Sequence, residues 1–121
     1  MKNENFINQI IRKLEPLDPC RIILFGSYAH GNVTKDSDID LLVVTSDEVM
    51  PRNFKENMKY YLKIANALDE IRERISMDLI VHTIPMYKRF LELDSMFARD
   101  VLKNGRLLYE SNNQRVVEGS K

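Results

Sequence analysis

The sequence holds 121 residues, the length of one domain, since single domains commonly hold about 100 to 150 residues. It has 18 Lys and Arg against 18 Asp and Glu, and this zero net charge argues against a nucleic-acid or anionic-lipid binder. A hydrophobic fraction of 44% supplies a core and argues against a disordered chain. We therefore expect one folded domain over residues 1–110 and a polar, disordered tail over residues 111–121.

Cysteine content and hydropathy bear on the compartment. Cys20 is the only cysteine, so the chain cannot form an internal disulfide. The longest aliphatic run, Leu41–Val44, is far shorter than the roughly 20 residues that span a bilayer. Residues Met1–Asn8 lack the apolar core of a signal peptide. We expect a cytoplasmic protein without a membrane partner.

The first part of the chain alternates between helical and strand patterns. Apolar residues at helical spacing predict a helix over residues 3–15, which Pro16 helps to end. Arg21–Phe25 is a branched apolar run and predicts a buried strand. Residues 28–37 contain Gly, Asn and Asp and predict a loop, and residues 38–44 predict a second strand.

The second part predicts a helix, a strand, a helix and a short strand. Apolar residues three or four apart predict a long helix over residues 52–74. Met77–His82 predicts a third strand, and Pro85 predicts the start of a further helix that ends at Gly105. One apolar stripe is assigned to that helix: Phe90, Leu93, Phe97 and Val101. Arg106–Tyr109 predicts a fourth strand.

This order predicts an α+β fold with a mixed sheet of about four strands flanked by helices. The short excursion between strands one and two allows antiparallel pairing, which puts Gly26 beside Asp38. The 33 residues between Val44 and Asp78 contain a helix, as a parallel crossover requires. We therefore expect Asp38, Asp40 and Asp78 at one rim of the sheet.

Three carboxylates at one rim repel one another, so we expect a positively charged ligand to compensate their charge. Strand alternation points Asp38 and Asp40 the same way, and like charges repel by about 4 kcal/mol at 4 Å and an effective dielectric near 20. Oxygen ligands at an open edge suit Mg²⁺, which shares its coordination sites with substrate phosphates. Gly26 would let a phosphate approach the backbone, and the Ser27 hydroxyl could bind its oxygens.

The spacing of these residues resembles a known signature. Gly26-Ser27 is followed by ten residues and then by Asp38-Ile39-Asp40. This pattern resembles the minimal nucleotidyltransferases of the DNA polymerase β superfamily, and the resemblance extends over roughly residues 6–110. It implies that the paired aspartates bind two Mg²⁺ ions, that Asp78 helps to bind metal and to activate the acceptor hydroxyl, and that the Gly-Ser turn holds the triphosphate of ATP.

The turn departs from the family at one position. Many relatives have an arginine where this chain has His30, which is mostly neutral at pH 7. His30 is an even choice between a phosphate contact and a plain loop residue, and Lys35 could supply the missing charge. His82, on the same face as Asp78, is expected to be packed rather than to bind metal.

The resemblance implies transfer of AMP from ATP onto a hydroxyl with release of pyrophosphate. Stand-alone members resemble antitoxins that adenylylate a tyrosine of a HEPN-family ribonuclease toxin, and this is the predicted partner. Two alternatives stay open: a small-molecule enzyme similar to aminoglycoside nucleotidyltransferases, which would need a homodimer to complete its pocket, and a catalytically silent antitoxin that neutralises a partner by binding.

Overall fold

The computed structural model describes residues 2–31, 33–34 and 36–111, with side chains from residue 5 onward. In chain order the elements are α1 (Lys2–Leu14), β1 (Arg21–Phe25), α2 (Ser27–His30), β2 (Ile39–Val44), α3 (Phe54–Ala67), α4 (Asp69–Arg72), β3 (Met77–His82), α5 (Ile84–Leu93), α6 (Met96–Asn104) and β4 (Arg106–Glu110). Within this part of the chain, no helix combines the length and apolar composition that crossing a bilayer requires.

The four strands form one mixed sheet in the order β3-β2-β1-β4. β1 pairs with β2 and with β4 in antiparallel fashion, and β2 pairs with β3 in parallel. The parallel pair is joined through α3 and α4, which is the crossover that the spacing of the sequence predicts. The predicted α+β fold with a mixed sheet is therefore confirmed.

Both faces of the sheet are covered. Alternate residues of β1 and β2, among them Leu24 and Leu41, pack with α1, α3 and α4 into the larger core. The residues between them, among them Leu42, pack into a second core that includes Tyr87 of α5 and Val101 of α6. Burial of both faces explains why β1 and β2 are almost continuously apolar, since neither strand has a solvent-facing side.

The segment after β1 differs from the predicted loop. Residues Ser27–His30 form the short helix α2, in which the Gly26 carbonyl accepts hydrogen bonds from the N–H groups of Ala29 and His30, both at 3.1 Å. Gly31, with φ of 77°, ends this helix in the left-handed conformation. The loop prediction was wrong for residues 28–30 because Gly26 and Gly31 act as the two ends of a helical turn.

Two long helices predicted from apolar periodicity are each interrupted. The predicted helix over residues 52–74 is split at Leu68, which joins α3 to α4. The helix predicted after Pro85 breaks at Asp94, whose φ is 49°, and α6 restarts with Ser95 capping the N–H of Ala98. The single apolar stripe was therefore wrong, since this break leaves some of its members facing solvent.

Ser111 is the one residue of the predicted tail that the structure describes. Ser111 is buried, and its N–H donates to the Cys20 carbonyl at 3.1 Å. The rest of the tail predicted to be disordered, residues 112–121, lies outside the described residues.

Candidate active site

Three neighbouring strands place Phe25, Asp40 and Asp78 side by side across the sheet at the start of β2. Phe25 is the register partner of Asp40 across the antiparallel pair, and Asp40 is the partner of Asp78 across the parallel pair. Asp40 alternates with Leu42 on β2, so it lies on the sheet face covered by α5 and α6. We call Asp38, Asp40 and Asp78 the carboxylate row, with Asp38 directly before β2 and exposed to solvent.

The charges of the carboxylate row influence one another. Burial raises the pKa of Asp40 above its ordinary value, and so do the negative charges of Asp78 and Asp38 and a hydrogen bond with Asp78. Asp78 is the register partner of Asp40 and Asp38 directly precedes β2, so the three residues lie at one rim of the sheet. The crossover argument therefore placed them correctly at one rim, while their assignment to metal binding and catalysis stays a prediction.

Gly26 lies directly against this row. Its φ is 71° and its ψ is −150°, a conformation that side-chain-bearing residues rarely adopt. A Cβ atom at this position would overlap the Oδ2 atom of Asp40. The glycine expected to admit a phosphate to the backbone thus also makes room for the Asp40 carboxylate.

The remaining predicted nucleotide contacts follow Gly26. Ser27, partly buried, is the first residue of α2, and exposed His30 is its last. Tyr28, which the sequence marked only as loop, packs against the larger core, and burial together with the charge of Asp38 raises the pKa of its phenol. Lys35 lies outside the described residues, so its predicted contact with phosphate is a prediction still.

The donor atoms of the carboxylate row are suited to a hard cation. Carboxylate oxygens are the ligands that Mg²⁺ prefers. A cation would also compensate the charges of Asp78 and Asp38, which add to the larger effect of burial in raising the pKa of Asp40. Within the described ranges, no three Asp, Glu, His or Cys side chains already form a set that could hold a metal ion. The row thus offers the oxygen donors that Mg²⁺ prefers at one rim, although its described side chains do not already form a complete ligand set.

An aromatic cluster beside the row was missed at the level of sequence. The ring of Phe25 meets that of Phe97 edge to face at a centroid distance of 5.4 Å, and Phe97 meets Phe90 at 5.9 Å. Phe97 is 44% exposed. The signal that could have found the cluster is the position of Phe25 directly before Gly26, which puts one ring at the candidate site.

His82 belongs to a different environment, although it shares a strand and a face with Asp78. Its ring packs edge to face on Phe90 at 5.2 Å and lies 6.3 Å from that of Tyr87. Burial lowers the pKa of His82 to about 4. His82 is thus a neutral, packed histidine at pH 7, as the sequence predicted.

Comparison with known proteins identifies the family. Residues 7–114 match the family described as "Polymerase beta, Nucleotidyltransferase". The chain belongs to this nucleotidyltransferase family. The assignment confirms what the spacing from Gly26-Ser27 to Asp38-Ile39-Asp40 predicted, and it identifies the chain as an enzyme of the nucleotidyltransferase class.

Relatives within the family come from Methanocaldococcus jannaschii. The chain is 37% identical over 92 residues to the candidate protein adenylyltransferase MJ0604, covering 74% of this chain and 77% of the relative. It is 34% identical over 107 residues to the candidate protein adenylyltransferase MJ1379, covering 81% of this chain and all of the relative.

Two solved structures of toxin-antitoxin proteins resemble the chain in fold. A crystal structure of a toxin-antitoxin with AMP-PNP contains a chain that is 26% identical, with a TM-score of 0.55 and coverage of 94% of this chain and 80% of that one. A chain of a mutant toxin-antitoxin MntA-HpeT has the same fold at 23% identity and a TM-score of 0.52, with the same coverage.

Proposed function

We propose that this nucleotidyltransferase moves AMP from ATP to a hydroxyl group of a partner protein and releases pyrophosphate. The observation that carries the proposal is the pairing of Asp40 with Asp78 across β2 and β3, with the Gly26-Ser27 turn against Asp40. Like charges held side by side cost stability unless a ligand uses them, so their presence favours a catalytic site.

The carboxylate row would hold Mg²⁺. Asp38, Asp40 and Asp78 supply the oxygen ligands, and a pair of ions bound there would neutralise charge on the reacting phosphate and help to orient it. Positioning and charge neutralisation are the main requirements of phosphoryl transfer, which needs little covalent help from the protein.

The candidate site residues each have a proposed task in the reaction. Ser27 and the backbone after Gly26 bind the triphosphate oxygens, with His30 and Lys35 as further phosphate contacts. The acceptor oxygen attacks the α-phosphorus as the bond to the β-phosphate oxygen breaks, and the electron pair leaves with pyrophosphate. Asp78, exposed at the edge strand, takes the proton of the acceptor hydroxyl.

The proposed acceptor is a tyrosine of a HEPN-family ribonuclease, which would make the chain an antitoxin that acts by adenylylation. The names of the relatives MJ0604 and MJ1379 support a protein acceptor, and the similarity to a toxin-antitoxin with AMP-PNP supports a toxin partner and an adenine nucleotide. The use of ATP and the lone cysteine, Cys20, agree with the cytoplasm as its compartment.

The test uses ATP labelled at the α-phosphate, Mg²⁺, the full chain and the product of the neighbouring gene, which the proposal expects to be a HEPN-family protein. The proposal predicts label on the partner that is lost when its acceptor tyrosine is replaced by phenylalanine, and that requires the divalent cation. Label on an added aminoglycoside instead would favour the small-molecule enzyme. Inhibition of the partner's ribonuclease without any label would favour a silent binding antitoxin.

A further inference from the structure

The turn between α5 and α6 carries three apolar side chains that face solvent. Leu93 is 65% exposed, Met96 86% and Phe97 44%, and we call these three residues the corner patch. Scattered single apolar residues are ordinary on protein surfaces, but a cluster of large ones at one turn indicates a contact surface.

The corner patch borders the carboxylate row. Phe97 meets Phe25 at a ring-centroid distance of 5.4 Å, and Phe25 is paired with Asp40 in the sheet. Paired residues of antiparallel strands have Cα atoms about 4.5 to 5.5 Å apart. One aromatic ring therefore separates the patch from the carboxylate that would bind metal.

The turn that presents the patch is well defined by contacts of its own. Asp94 takes a left-handed conformation at the end of α5, and its carboxylate receives two hydrogen bonds from the Arg99 guanidinium at 2.9 and 2.7 Å. The Ser95 hydroxyl accepts from the N–H of Ala98 at 3.0 Å. The patch is thus held in place and has a charged rim, which is the anatomy of a protein interface.

We propose that the corner patch is the docking surface for the protein that presents the acceptor hydroxyl, and that apolar side chains flanking the acceptor tyrosine cover Leu93, Met96 and Phe97. This inference rests on the proposed function. A protein that presents a hydroxyl to Asp40 must also lie over the surface next to Asp40. Leu93 and Met96 beside the ring of Phe97 expose more apolar area than a flat nucleobase would cover.

A second exposed apolar group supplies a matched control. Met50 is 48% exposed and Phe54 77%, and together with Met86 they line a groove of about 260 Å³. Both residues follow the end of β2 at Val44, whereas the carboxylate row lies at the start of that strand. The two groups are alike in chemistry and lie toward opposite ends of the sheet.

The experiment compares two double variants. The corner-patch variant carries both Leu93→Ser and Met96→Ser, and the control variant carries both Met50→Ser and Phe54→Ser. For each full-length protein we would measure melting, ATP affinity, calorimetric binding of the HEPN-family protein without ATP, and the KM for that protein in the labelling reaction. The corner-patch variant is expected to bind the partner about tenfold or more weakly and to show a matching rise in KM, with melting and ATP affinity unchanged.

The control variant is expected to match the wild type in every measurement. Unchanged partner binding in the corner-patch variant would overturn the inference, and so would an equal loss in the control. Weakened ATP affinity with normal partner binding would instead make the patch a nucleobase platform. If the wild type binds the partner but transfers no label, the proposed function fails. The binding comparison between the two double variants then still decides whether the corner patch is the docking surface. If it neither binds nor labels, both fail.

Discussion

The two ends of the β2–β3 pair carry ionisable residues on the same sheet face, four positions apart, yet their surroundings are opposite. At one end, Asp78 and Asp40 lie beside each other and beside a glycine, and their like charges act on each other. At the other end, His82 is paired with Val44 and is enclosed by aromatic rings.

Burial favours the neutral form at both ends, since it raises the pKa of Asp40 and lowers the pKa of His82 to about 4. The difference is that further negative charges act on Asp40, whereas burial alone is the cause of the shift at His82. A perturbed pKa therefore marks a functional site only where charged groups are gathered without compensation. The carboxylate end meets that condition and is the proposed site, whereas the histidine end is a packed part of the second core.

A large effect at the carboxylate end is expected from Gly26→Ala. The added Cβ would overlap the Asp40 carboxylate, so transfer activity should fall by roughly a hundredfold, the cost of displacing a reacting group by about 1 Å. Gly31→Ala is the matched control, because Gly31 also has a positive φ of 77° but has open space around its Cβ position. Equal losses in the two variants would show that backbone strain alone explains the effect.

Ser27→Ala tests whether the turn beside the row binds phosphate. Loss of one hydrogen bond to a charged group costs about 1.5 to 3 kcal/mol, so ATP affinity should fall by roughly ten- to a hundredfold while melting stays level. Ser27→Thr keeps a hydroxyl and is expected to restore most of the affinity. Calorimetric titration with ATP and Mg²⁺ measures both, and an unchanged affinity in Ser27→Ala would assign the turn to something other than phosphate.

The histidine end should affect stability rather than transfer. With a folded pKa of about 4 and an unfolded pKa near 6.5, His82 takes up a proton on unfolding as the pH falls below 6.5. The free energy of unfolding should therefore drop by about 2 kcal/mol from pH 7.5 to pH 5 through this residue. Urea unfolding of His82→Gln should lose that part of the pH dependence while transfer at pH 7.5 is retained. An unchanged slope would place the acid sensitivity elsewhere.

The strands and their pairing could be predicted because their signals are local and consistent. Arg21–Phe25 and Met77–His82 are short apolar runs between turn residues, and the structure has them with the same bounds. The length of chain between Val44 and Asp78 allowed the parallel pairing, which in turn located the rim of the carboxylate row. The location of the candidate site was predictable because strand order decides which residues lie side by side.

Helix interruptions were not predictable from periodicity, because a stripe of apolar residues continues across a break. Leu93 and Phe97 are four apart and fit one helix, yet Asp94 adopts a left-handed conformation that is stabilised by its ion pair with Arg99. The corner patch exists only because of this break. The contact between Gly26 and Asp40 was hidden for a related reason, since it depends on side-chain packing between two strands.

The most direct test of the central claim, that the carboxylate row serves catalysis and not the fold, is Asp40→Asn with melting and labelled transfer measured together. Because the folded protein raises the pKa of Asp40, stability linked to this group is greatest below the unfolded pKa of about 3.9 and falls as the pH rises toward the folded pKa. Without divalent cation at pH 7, Asp40→Asn should therefore melt level with or above the wild type, and labelling with Mg²⁺ should fall by at least about a hundredfold. Asp36→Asn, in the exposed preceding loop, should retain both properties. A lower melting temperature with labelling retained would contradict the claim.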